Sequence, residues 1–157
     1  MLASTEVIVT YLLNNQIIYK MTKLNATNGE LLDLINGLFA VKDLSGKDFS
    51  LPVGKNLNIL KEVLDPLEKL GRPSEEFLEL ASKVQAIADK NEDDSKEQIL
   101  ELEAQYPELV AERKKQVEVM AEKMQEKLEV ELYTLSTDIL PEAITPQQIM
   151  NLEKILE

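Results

Sequence analysis

The sequence predicts a mainly α protein: a long antiparallel helical hairpin, a short terminal helix, and a minor β element made of an N-terminal hairpin plus a late strand. Three observations predict it. Apolar residues recur at helical spacing through most of the chain after Met21. The most polar run, "KNEDDSKE" from Lys90 to Glu97, separates two such stretches, as the tip of a helical hairpin does. Period-two or β-branched sequence is concentrated in "EVIVTYLLNNQIIYKM" near the start and "LEVELYTL" near the end.

The opening segment, Glu6–Tyr19, has Val- and Ile-rich runs on either side of Asn14-Asn15. Asn tolerates positive φ, so this pair suits a two-residue turn. An isolated hairpin is marginal in water, and a strand over Leu128–Leu135 gives it a partner. A second reading stands beside this one. Met21 opens a more ordinary helical sequence, which makes residues 1–20 an N-terminal extension and 21–157 a single helical domain.

The first helix is capped by Thr27 or Asn28, has Glu30 in its first turn, and buries Leu31, Leu34, Ile35, Leu38 and Phe39. A polar loop follows, Lys42–Ser50. Ser50-Leu51-Pro52 then starts a second helix, with Pro in the first turn. Its apolar positions Val53, Leu57, Leu60, Leu64 and Leu67 are spaced four, three, four and three apart, a coiled-coil-like seam. Pro66 should kink this helix or finish it early, and Gly71 with Pro73 supplies a stop.

Ser74 caps a third helix whose inward face is Phe77, Ala81, Val84, Ile87 and Ala88. After the polar tip the helix resumes at Ser95. Pro107 is expected to bend rather than end it, because Leu109, Val110, Val117, Met120, Met124 and Leu128 continue the spacing. Thr145, Pro146 and Gln148 form a capping box with Pro at the first position, opening a short final helix that turns Ile149, Leu152, Ile155 and Leu156 inward.

Composition excludes much. The 157 residues carry 17 basic and 29 acidic side chains, a net charge of −12. That sign opposes direct contact with a nucleic-acid backbone or an anionic membrane. The chain has no Cys and no His, which removes disulfides, thiolate nucleophiles, imidazole bases and the usual transition-metal ligands. Val7–Ile18 is too short and polar to span a bilayer, so a cytoplasmic protein is expected.

Carboxylates are the remaining chemical candidates. Glu75, Glu76 and Glu79 form E-E-x-x-E, the first half of the Mg²⁺ element of all-helical nucleotide pyrophosphohydrolases. The required later E-x-x-D is missing, since Glu62–Asp65 precedes the motif. Acidic residues just after the cap Ser74 also suit the helix dipole. Glu92, Asp93 and Asp94 lack the Gly and distal Glu of a calcium loop and read as a solvated turn. Arg113, Lys114 and Lys115 are expected to pair with Glu108, Glu112 and Glu118 on their own helix. Ser45-Gly46-Lys47 lacks the remaining glycine of a phosphate loop. No catalytic residue, metal or cofactor is assigned.

Two surfaces are candidates for contact. One is the seam Val53, Leu57, Leu60, Leu64 and Leu67. The other is Met120 and Met124, flexible thioethers four apart that serve either an adaptable surface or a core gap.

The run from "ELLDLINGLFAVKDLSGKDFSLPVGKNLNILKEVL" through a polar-tipped hairpin to "KLEVELYTL" and "TPQQIMNLEKIL" resembles small acidic helical proteins encoded by bacteriophages, with Lys55, Asn56 and Leu60 at the matching positions. The resemblance implies a viral setting, in the host cytoplasm or virion, rather than an activity. The expected function is a non-enzymatic interaction or structural component, a phage accessory or virion-associated protein with a protein partner or self-association as a homo-oligomer. The alternatives are an acidic nucleic-acid mimic that blocks a basic host protein, and a carboxylate–Mg²⁺ hydrolase.

Overall fold

The computed structural model describes the backbone of Val7–Val9 and residues 19–157 with their side chains. Among the described residues the fold is mainly α with a minor β element. Strands β1 (Val7–Val9), β2 (Tyr19–Thr27) and β3 (Lys127–Tyr133) form one antiparallel sheet in that order. The helices are α1 (Asn28–Val41), α2 (Lys47–Gly71), α3 (Glu75–Lys90), α4 (Ser95–Glu103), α5 (Pro107–Gln125) and α6 (Pro146–Asn151). The turn expected at Asn14-Asn15 lies outside the described residues. No helix among those described is long and apolar enough to cross a membrane.

The backbone forms two compact units. The first contains the sheet, α1, α2 as far as Asp65, and Met124–Glu157; the second is Pro66–Lys123.

In the first unit, β2 continues to Thr27, where the sequence past Met21 was expected to be helical. Pairing decides this. Thr22, Leu24 and Ala26 stand opposite Leu132, Val130 and Leu128. Lys23 and Asn25, on the other face, stand opposite Glu131 and Glu129. The alternation in "LEVELY" imposes period two on its neighbour.

Thr27 then starts α1 with a capping box. Its hydroxyl accepts from Glu30 N at 3.1 Å, and its own N–H donates to Glu30 Oε2 at 2.8 Å. That donation, helped by Lys154 Nζ at 3.0 Å, holds the Glu30 carboxyl below its ordinary pKa. Leu31, Leu34, Ile35 and Leu38 are buried as expected, but Phe39 is 38% exposed. It lies at the margin of the apolar stripe, with Lys42 and Lys61 Nζ at 5.6 and 5.2 Å from its ring.

The second helix begins three residues earlier than expected. Gly46, at φ +131°, makes a turn closed to most side chains, and its carbonyl accepts from Phe49 N and Ser50 N. Phe49 is thereby driven into the core, 1% exposed. Pro66 neither finishes the helix nor displaces its stop, because α2 runs through it to Gly71. It removes one backbone hydrogen bond there.

Thr145 and Gln148 form the expected capping box of α6. Leu152 and Ile155 are buried, and Leu135 pairs with the chain end through Ile155 O and Glu157 N. Each fully buried Leu or Ile contributes about 1.5–3 kcal/mol.

In the second unit, Ser74 Oγ accepts from Phe77 N and caps α3, as expected. The apolar face of α3 is half-buried, apart from exposed Ala88, and its one buried side chain is Leu80, which the sequence reading left out. Asn91, at φ 50°, ends α3, and α4 packs back on it beyond the tip. Pro107 ends this arm instead of bending it: α4 stops at Glu103 and Pro107 opens α5. Its ring excludes the helical bond to Glu103, and Tyr106, preceding it, is pushed out of helical geometry. Tyr106 O still accepts from Val110 N and so begins the new helix.

Candidate functional site

One cleft lies within the second unit, between α3 and the α4–α5 break. Its volume is about 560 Å³. Glu76, Glu79, Leu80 and Lys83 enter it from α3, at offsets of three, four and seven that share one helix face. Tyr106 and Pro107 line it at the break, and Glu108, Leu109 and Glu112 from α5. The break matters here, since a continuous helix would carry Tyr106 and Glu108 round its own axis.

Leu80, 4% exposed, is a buried apolar residue of the lining. Lys83 Nζ lies 5.7 Å from the Tyr106 ring centroid. Glu76, Glu79, Glu108 and Glu112 are all exposed, so four carboxylates face one ammonium across the opening. Water screens each of them, yet a concave wall with a net excess of carboxylates concentrates counter-charge.

Two members of the E-E-x-x-E motif thus line the cleft, while Glu75 is not among the lining residues. No three carboxylates of the described residues gather closely enough to hold a metal ion. The acidic run Glu92–Asp94 is exposed at the hairpin tip.

Arg113 is held by a carbonyl and an amide oxygen instead of the expected Glu108, Glu112 or Glu118. Its Nη1 donates to Gly71 O at 2.9 Å and to Gln116 Oε1 at 2.7 Å, and its guanidinium lies 5.6 Å from the Phe77 ring. Gln116 Nε2 donates to Leu70 O and Arg72 O. The orphan carbonyls at the C-terminus of α2 attract these donors more than an exposed carboxylate does.

The seam is not a surface. Val53, Leu57, Leu60, Leu64 and Leu67 are between 0% and 8% exposed. A four–three stripe serves an intrachain core as well as a coiled coil, so self-association through it is unsupported. The methionines are half-buried against glycines: a Cβ on Gly71 would lie 2.9 Å from Met120 Cε, and one on Gly29 would lie 3.6 Å from Met124 Cε. They fill gaps inside the chain.

Asn56, a matching position of the resemblance, has a structural role in the first unit that its sequence context does not signal. Asn56, fully buried on α2, donates through Nδ2 to Tyr133 O and accepts through Oδ1 from Tyr133 N, both at 2.8 Å. Lys55, beside it, places Nζ 5.0 Å from the Tyr133 ring and 5.9 Å from that of Tyr19. Burial, and then Asp48, raise the Tyr19 pKa, while Lys55 opposes the rise. The Lys-Asn-x-x-x-Leu segment therefore acts as a fastener between helix and sheet, with Leu60 in the core.

No protein-family model matches this chain, and no curated protein or solved structure matches it.

Proposed function

We propose that this chain is a non-enzymatic interaction protein, and that the cleft between α3 and α5 receives a Lys- or Arg-bearing segment of a partner protein. The observation that carries the reading is the lining: four carboxylates around Leu80 and Tyr106, within a chain of net charge −12. Such a wall attracts cations, and the Tyr106 ring offers a second cationic contact beside Lys83. The absence of His and Cys leaves the cleft without the commonest proton-transfer groups and nucleophiles. The resemblance to phage-encoded helical proteins supports a viral accessory or virion-associated role for this contact.

The test is anisotropy with a fluorescent Lys-rich peptide at low and moderate salt. Replacing Glu76, Glu79, Glu108 and Glu112 by Gln should remove about 2 kcal/mol, roughly 30-fold in affinity, at ~0.5 kcal/mol per exposed charge pair. A control with Glu142, Glu153, Asp138 and Glu62 changed to amides should bind as the parent does. Equal weakening in both variants would reduce the cleft to one part of a generally acidic surface and end the proposal.

A further inference from the structure

Among the described residues β3 is an edge of the sheet, because the strand order is β1–β2–β3. In an antiparallel ladder, successive residues aim their backbone groups alternately at the two sides of the strand. The parity is fixed at both ends of β3. Asn28 N donates to Glu126 O at 3.0 Å, and Thr134 N donates to Lys20 O at 2.9 Å, so the even-numbered residues face β2. Asn56 takes both backbone groups of Tyr133 on the opposite side. The N–H and C=O groups of Lys127, Glu129 and Glu131 therefore point to the outer edge. No backbone partner meets them there among the described residues.

The side chains of these three residues are exposed on the solvent face of the sheet, while Leu128, Val130 and Leu132 alternate toward the core. On that face Lys23 Nζ of β2 lies 3.2 Å from Glu129 and 3.9 Å from Glu131. Lys23 and Lys127 thus balance Glu129 and Glu131. In a chain of net charge −12, this edge is a locally neutral strip.

We propose that the outer edge of β3 pairs with the same edge of a second copy, antiparallel about a two-fold axis at Glu129. In that register Lys127 stands opposite Glu131 of the second copy, twice by symmetry, and Glu129 meets its equivalent. Two attractive pairs then outweigh one repulsive pair, and Lys23 already screens each Glu129. About six backbone hydrogen bonds form across the axis, joining two three-stranded sheets into one. Charged residues usually protect an edge strand from pairing. Here they oppose a parallel match, which sets like charges together, and permit the antiparallel one. Asn56 bounds the available strip at Tyr133, and this limits pairing to Lys127–Glu131.

Sedimentation of the whole chain over a wide concentration range tests the proposal, with amide exchange read at Glu129 and Glu131. A monomer–dimer equilibrium is expected, with protection of those two amides rising with concentration. Lys127→Glu and Glu131→Lys should each weaken the dimer about tenfold or more, since each turns two attractive pairs repulsive. Combining the two reversals should restore it, which separates a pairing effect from a folding defect. A strict monomer at every concentration would overturn the proposal. So would a dimer indifferent to either reversal, or one whose edge amides stay unprotected.

Discussion

Asn56 shows how much one side chain can organise. Its amide reproduces the donor–acceptor pair of a neighbouring strand, satisfying both backbone groups of Tyr133 where the edge of β3 would otherwise be open. A buried amide left half-bonded is costly, so removing it exposes the full penalty of its former partners. Asn56→Ala is expected to cost about 3 kcal/mol, from two lost bonds and a small void. Asn56→Asp keeps the acceptor for Tyr133 N but sets a carboxylate against Tyr133 O, so it should cost at least as much. Urea unfolding reads both, and an unchanged midpoint in either variant would contradict the fastening role.

At the scale of elements, close approach and helix propensity can be separated with two glycines. Gly37 on α1 faces α6, where an added Cβ would stand 3.0 Å from Asn151 Cβ and from its backbone oxygen. Backbone yields poorly, so Gly37→Ala should destabilise by about 1–2 kcal/mol through overpacking. Gly54 on α2 has nothing within 4 Å of that position. Gly54→Ala should therefore stabilise by about 1 kcal/mol through helix propensity alone. Thermal melts should shift in opposite directions; shifts of the same sign would mean that α1 and α6 are less tightly apposed than described. The same competition between local preference and neighbours explains Pro107. Apolar spacing ran through it, but spacing is indifferent to a missing N–H and a ring clash, and the backbone is not.

Across the whole molecule, burial is uneven. Among the described residues, the second unit contributes only Leu67 and Leu80 to the buried apolar set, and the first unit supplies the remainder. Local opening free energy follows buried apolar contact. Native-state amide exchange should therefore be faster, by more than about tenfold, through α3, α4 and α5 than through α1 and the β2–β3 ladder. Uniform protection would show that the second unit draws stability from something other than its own core. A loosely packed unit with an acidic cleft suits a surface that adapts to a partner.

The sequence by itself determined the elements whose signals are local. The caps at Ser74 and Thr145, the cap of α1 to within Thr27 or Asn28, the stop at Gly71, the hairpin tip and the alternation of Leu128–Tyr133 each depend on residues within one turn or one strand, so they are legible without the fold. Tertiary structure alone decided which surfaces remained. The Val53–Leu67 seam reads equally as a core stripe or an interface, because periodicity states that a face is apolar and never what covers it. The cleft was illegible for a related reason: Glu76 on α3 and Glu108 on α5 line one cavity only because the fold brings their helices to it. Asn56 was the extreme case, since its partner lies 77 positions away in sequence. A buried polar side chain is defined by that distant partner, and no local pattern encodes it.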